Sequence, residues 1–305
     1  MRKLSDQAVH SDLACPARRA VICKFGAMTS ALLLGQSRLA HAVALQRLVS
    51  IGGSLTEIIF ALQAQAQIVG VDTTSDFPSA AQKLPNVGYT RTLSAEGILA
   101  LAPSMIIATE DAGPPAVIAQ LSAAGIPVHV LRANHRFEGL LERVYRVGEL
   151  TGHTQEAKQL TQTLGDDWQK TQVNLIDHKK RRVLFILSHN ANQMMVAGKN
   201  TSAHAVVEYA GACNAMAEFN GYKPLTPEAL VAEQPDIILM TESGLSAIGG
   251  MKGLLNTPGF AQTPAGRQRR ILAFDTMYLL GFGPRLPAAV KALNNAITQI
   301  MSKSE

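Results

Sequence analysis

Cysteine is scarce in this chain: of three in 305 residues, only Cys213 lies beyond residue 44. A lone thiol closes no disulfide within that stretch and supplies no Cys-rich zinc or iron–sulfur site. Enzyme signatures are missing too. There is no Gly-x-Ser-x-Gly elbow, no Walker loop and no Gly-x-Gly-x-x-Gly opening a helix. The histidines show no His-x-x-x-His spacing, so a closed zinc site has no support. A broad charge of one sign is also absent from most of the chain. Residues 1–44 hold six Lys/Arg and two acids, which leaves 22 basic against 21 acidic groups elsewhere, net +1. A nearly neutral body offers no general attraction for nucleic acid or anionic lipid.

What is present begins with that basic N-terminus. "ARRAVICKF" supplies a charged region, "FGAMTSALLLG" a short apolar one and "HAVA" a small-residue cleavage pattern near Ala44. This is the order of an export signal, and it is too short and too interrupted by Lys24 to span a bilayer. Residues 1–44 are therefore expected to be a signal peptide, with Arg18–Arg19 a weak twin-arginine feature, and the protein to be exported to the periplasm. An ordinary N-terminal helix is the plainer alternative.

Beyond it, short apolar runs alternate with helical patterns. "RLVSIGG", "QIVGVDTTS", "SMIIATE" and "IPVHVLR" read as strands, with "SLTEIIFALQA", "SAEGILALAP" and "PPAVIAQLSAAG" as helices between them. Such alternation predicts a parallel sheet covered on both faces. Residues 136–178 lack proline and strand-like runs. They read as one long helix, or two joined near Gly148–Gly152. After "KKRR" the alternation resumes. The expected fold class is α/β: two similar lobes (45–135 and 179–305) with central parallel sheets, joined by a long inter-lobe α-helix.

The two lobes resemble each other in register. "SAEGILALAPSMIIATE" (94–110) and "TPEALVAEQPDIILMTE" (226–242) share Glu96/Glu228, Ala100/Ala232, Pro103/Pro235, Ile106/Ile238, Thr109/Thr241 and Glu110/Glu242. Each has a Ser or Thr suited to an N-cap, a helix, a proline turn and a buried strand. A cleft between two such lobes is a natural small-molecule site. Ser54 and Thr56 in "IGGSLTE" suit helix capping, with anion binding at the helix start the less ordinary role.

Within "NVGYTRTLSAEG", Tyr89 and Arg91 are two residues apart, so an extended loop projects both to one side. A phenolate is a hard anionic donor suited to Fe(III), and a neighbouring guanidinium favours its ionisation. The alternative is a Tyr packed at a lobe rim beside a solvated Arg. Composition and spacing leave the two open.

Nearly all of the chain after the leader resembles the periplasmic haem-binding proteins of bacterial haem ABC importers. The resemblance rests on "LVSIGGSLTEIIFAL", "NVGYTRTLSAEGILALAPSMII", "GYKPLTPEAL", "QPDIILMT" and "LLGFGPRLPAAV". It implies that Tyr89 is the axial ligand to ferric haem iron, haem b as transported ligand, with Arg91 as its hydrogen-bonding partner. It also implies two Rossmann-like lobes joined by a long helix, and delivery to an inner-membrane ABC permease with its ATPase, an outer-membrane haem receptor system upstream being a further partner that it allows. Some relatives place a His opposite the Tyr, which makes His189 a candidate second ligand. A hydrogen-bonded loop residue is the alternative. Others carry an Arg after "IILMT", a position where this chain has "ESGLSAIGGMKG" and none. Met194, Met195, Met251, Met277 and Tyr278 are candidates to line the porphyrin faces or to pack in the core. Glu96 and Glu228 stand in first turns, where an acid favours the helix dipole. The resemblance implies that this pair docks on permease arginines. The rival readings are a cobalamin or ferric-siderophore carrier of the same fold and, from another class, a metal-cluster oxidoreductase subunit. A single remaining Cys argues against the last.

Overall fold

A computed structural model describes residues 46–188 and 193–303. The proposed leader and His189 lie outside the described residues. The first lobe runs β1 (Leu48–Ile51), α1 (Gly53–Ala61), β2 (Ile68–Val71), α2 (Ala95–Leu99), β3 (Met105–Thr109), α3 (Pro115–Ala123) and β4 (Val128–Leu131). Its strands form one four-stranded sheet in the order β2-β1-β3-β4, every pair parallel. All of β1 and β3 is buried. This is why they read as continuous apolar runs: helices cover both faces of a parallel sheet. Each fully buried Ile or Leu contributes about 1.5–3 kcal/mol relative to an exposed one.

Two helices follow, α4 (Phe137–Thr151) and α5 (Thr154–Val173). Of the two arrangements that the sequence allows, the structure takes the broken one. Gly152 caps α4 in the left-handed region at φ 76°, a conformation that costs glycine little. Gly148 lets α5 pack close, since a Cβ there would come 2.4 Å from that of Ala157.

The second lobe comprises β5 (His178–Ser188), β6 (Met194–Ala197), α6 (Ser202–Tyr209), β7 (Ala212–Asn214), β8 (Tyr222–Pro224), α7 (Pro227–Glu233), β9 (Ile237–Thr241), α8 (Glu242–Ala247), α9 (Gly250–Leu255), α10 (Pro264–Arg267), β10 (Ile271–Phe274), α11 (Thr276–Leu280) and α12 (Leu286–Ser302). Its sheet is mixed rather than wholly parallel. β10, β9, β5 and β7 pair in parallel, but β6 and β8 add antiparallel. β5 and β6 are close in sequence and pair directly, so no helical crossover is needed between them. The internal repeat has a structural counterpart: β3 and β9 occupy the same positions of the two repeat units, five residues each and fully buried.

A wedge of aromatics joins α4, α5 and the second lobe. Trp168 stacks on Phe137 at 4.6 Å and meets Tyr209 edge-on at 4.8 Å. The Tyr209 hydroxyl accepts from the Phe137 N–H at 3.1 Å. No helix among the described residues is long and apolar enough to cross a membrane.

Candidate ligand-binding cleft

In open α/β sheets, ligands bind beyond the carboxyl ends of the strands. In the first lobe this edge is built on a buried polar network. The carboxylate of Asp72, just after β2, accepts from the Gly52 N–H at 2.8 Å and the Ser75 hydroxyl at 2.9 Å. The Thr56 hydroxyl bridges those of Ser50 and Ser75 at 2.8 and 2.7 Å. Ser54 accepts from Arg143 Nη1 at 3.3 Å. Ser54 and Thr56 are thus internal struts, and α1 has no side-chain N-cap. The expected capping role is corrected: backbone packing at Gly52–Gly53 closes the turn, where a Cβ on Gly53 would meet the Thr74 carbonyl oxygen at 2.2 Å.

Tyr89 stands on a loop tied down on both sides. The Thr73 N–H donates to the Gly88 carbonyl at 3.0 Å, and the Gly113 N–H to the Thr90 carbonyl at 2.9 Å. Thr90 turns inward and is buried, while Tyr89 and Arg91 point outward. Tyr89 is 41% exposed, and its phenol makes no hydrogen bond to another described residue.

Arg91 does not bond Tyr89 here. Its Nε and Nη2 donate to Asp111 Oδ2 at 3.2 and 3.1 Å, and Thr109 steadies the other oxygen of Asp111 at 2.7 Å. So exposed a pair contributes about 0–1 kcal/mol. Across from it, Tyr222 on the edge strand β8 brings a second phenol. Tyr222 keeps 37% of its surface exposed, but desolvation of its phenol pushes it up from its ordinary value, opposed by Ser202, the positive charge of Arg91 and Thr201. The charge of Arg91 is thus paired with Asp111 of the first lobe and felt by a phenol of the second.

On another side the lobes are tied by Arg285, just before α12. Its Nε and Nη2 donate to Glu57 of α1 at 2.9 and 2.5 Å. Its guanidinium lies 3.9 Å from the Phe77 ring centre and 5.3 Å from that of Tyr278. Burial pushes the Glu57 carboxyl up, Arg285 pulls it back, and Asp76 and Asp275 push it further. Arg285 itself is raised: burial opposes its charge, but the hydrogen bond and charge of Glu57, with Asp275 and Asp76, outweigh that. The asymmetry has a cause, since the guanidinium faces three carboxylates and Glu57 only one guanidinium.

A further ion pair joins Arg143 of α4 to Glu110 of the first lobe at 2.6 Å, with the Arg143 side chain 4% exposed and that of Glu110 30%. Beside Glu110 opens a recess of about 590 Å³ between the exit of β4 and the start of α6. Met277 reaches across to Gly53, where a Cβ would come 3.0 Å from its methyl, so it packs between the lobes. Met194 packs in the second-lobe core, and Met251 is exposed. Glu96 and Glu228 are both exposed in the first turns of α2 and α7. No cluster of three or more His, Cys, Asp or Glu among the described residues suits a metal ion.

Sequence reasoning passed over Tyr222, Asp111, Arg132, Glu57 and Arg285. Tyr222 and Arg285 lie inside quoted motifs, but only the folded chain sets them against Arg91 and Glu57.

The family described as periplasmic binding protein matches residues 48–277. The chain belongs to that family. Among solved structures similar to this periplasmic binding protein is the periplasmic haem-binding protein BhuT in complex with two haems. It is 43% identical, with a TM-score of 0.79 over 84% of this chain and 99% of that one. The periplasmic haem-binding protein RhuT from Roseiflexus sp. RS-1, in apo form, is 39% identical, with a TM-score of 0.80 over 84% and 98%. The vitamin B12-binding protein of Salmonella typhi is 25% identical over 83% of this chain and 91% of its own length. The α/β architecture of two lobes is that of these neighbours, and the family is a substrate-binding component of transporters rather than an enzyme family.

Proposed function

We propose that this periplasmic binding protein captures ferric haem in the inter-lobe cleft and delivers it to an ABC permease powered by a cytoplasmic ATPase. The observation that carries the reading is Tyr89: a half-exposed phenol, free of hydrogen bonds to other described residues, on a loop pinned at both ends. A phenol with that freedom is available to an incoming metal. Its oxygen suits Fe(III), and the cation stabilises the phenolate that binds it. Arg91, on the same side of the loop, adds positive charge and can exchange its exposed bond to Asp111 for one to the ligated oxygen. Haem is also the ligand named for the two solved relatives that are most nearly identical among those described, and vitamin B12 for a more distant one. Residues 1–44 act as the export signal in this reading.

Titration with hemin, followed by absorption, tests it. A Soret band should appear with the wild-type protein, and Tyr89→Phe should shift that band and weaken binding about tenfold. An unchanged spectrum and affinity in Tyr89→Phe would remove Tyr89 as ligand. A response to cobalamin but none to hemin would reassign the cargo. The same titration of His189→Ala tests whether that imidazole is a second donor.

Glu96 and Glu228 are the proposed docking pair, one per lobe at equivalent repeat positions, as a two-fold permease requires. Reversing both charges (Glu96→Lys, Glu228→Lys) should leave the Soret spectrum unchanged. The protein concentration needed to stimulate the permease ATPase should rise about tenfold. Wild-type stimulation by the double variant would leave the two glutamates with helix-dipole roles alone.

A further inference from the structure

The haem reading leaves one feature of that ligand unanswered: two carboxylates at one edge of the ring. The recess beside Glu110 has the matching chemistry. Arg132, Asn134, Arg136, Asn200, Thr201 and His204 line its volume of about 590 Å³. The one carboxylate that the described residues place on its wall, Glu110, is engaged by Arg143 at 2.6 Å. Arg136 is engaged by Glu138 at 3.3 Å. Arg132, exposed at the end of β4, has no ion-pair partner among the described residues. The Asn214 side-chain N–H donates to His204 Nδ1 at 3.3 Å, which makes the other ring nitrogen an N–H donor. The recess therefore offers one uncompensated cation and several donors.

It neighbours the Tyr89 site through residues next to its lining. Glu110 adjoins Asp111, which holds Arg91. Thr201, on its wall, lies close enough to act on the phenol of Tyr222, which also feels the charge of Arg91.

We infer that this recess takes the ligand's carboxylates, with Arg132 as the principal cation, and so selects carboxylate-bearing tetrapyrroles over corrins, whose side chains are amides. An amide brings no charge to match Arg132, whereas a carboxylate gains a charge-assisted bond. The inference rests on the haem reading and adds to it a residue that sets specificity.

Hemin and hemin dimethyl ester, titrated in the same detergent-containing buffer into wild type, Arg132→Gln and Arg132→Lys, test it. Wild type should prefer the free acid about tenfold. Arg132→Gln should bind both forms with the ester's affinity and keep the Tyr89-dependent Soret spectrum at saturation. Arg132→Lys should recover part of the preference. Equal binding of acid and ester by wild type overturns the inference, as does an undiminished preference in Arg132→Gln. If hemin gives no Soret change with wild type, the haem reading falls and this one with it. A Tyr89-dependent Soret band without an ester effect removes the recess alone.

Discussion

Arg285→Ala should destabilise the protein by about 3–5 kcal/mol at neutral pH, the range for a buried charge left without its partner. The residue left behind is Glu57, whose side chain is 5% exposed. The loss should shrink in mild acid. Burial already holds the Glu57 carboxyl above its ordinary 4.5, and Arg285 is what pulls it back. Removing the guanidinium lifts it further. A carboxyl raised in the folded state contributes stability that is fully present below its unfolded value and lost as pH rises through its folded one. The variant should thus stand nearest to wild type at about pH 5, just above the unfolded value, and farthest from it near pH 8. Asp76 acts in the same sense, since burial and Asp275 raise it while Arg285 opposes them. Urea unfolding of both proteins at the two pH values measures the effect. A difference that does not change with pH would mean that Arg285 acts through its contacts with Phe77 and Tyr278, not through charge. Adding Glu57→Gln to Arg285→Ala should remove most of the pH dependence.

The second large effect concerns Arg143. All three guanidinium nitrogens are engaged: Nε with the Leu131 carbonyl at 3.2 Å, Nη1 with Ser54 at 3.3 Å and Nη2 with Glu110 at 2.6 Å. Burial pulls the Arg143 guanidinium down from its ordinary value, and Glu110 and Asp111 resist that. Glu110→Ala takes away the countercharge but not the burial. Its side chain is 30% exposed, so water replaces part of what is lost, and the expected cost is about 2–3 kcal/mol, below the full range for a buried pair. Arg143→Met combined with Glu110→Gln should be more stable than Glu110→Ala alone, because no unpaired charge remains inside. Urea midpoints rank the three proteins. A double variant less stable than the single one would show that the hydrogen bonds of Arg143 to Leu131 and Ser54 outweigh its charge.

These two clusters mark the limit of what a linear reading reaches. The repeat was legible because it is local: a cap, a helix, a proline turn and a buried strand sit in one short window, twice. β3 and β9 then fall at matching positions. The antiparallel additions to the second sheet were not legible. β8 has three residues, all exposed, so it carries no apolar run to betray it. The break between α4 and α5 was visible as a glycine-flanked option, and the left-handed cap at Gly152 decides it. At the site, Tyr89 and Arg91 stood out because they share one contiguous segment. Glu57 and Arg285 are 228 residues apart, and no spacing rule joins them. Arg132 looked like any surface arginine until the fold placed it on a recess whose one carboxylate among the described residues was already taken.

The aromatic wedge at the lobe junction has a practical consequence. Trp168 is the chain's only tryptophan, and it is held between Phe137 of α4 and Tyr209 of the second lobe. Fluorescence excited at the red edge of protein absorption therefore comes from one place. The unlabelled protein carries its own optical gauge of the junction, and the emission of that single indole follows any shift of the second lobe against the linking helices as ligand enters or leaves.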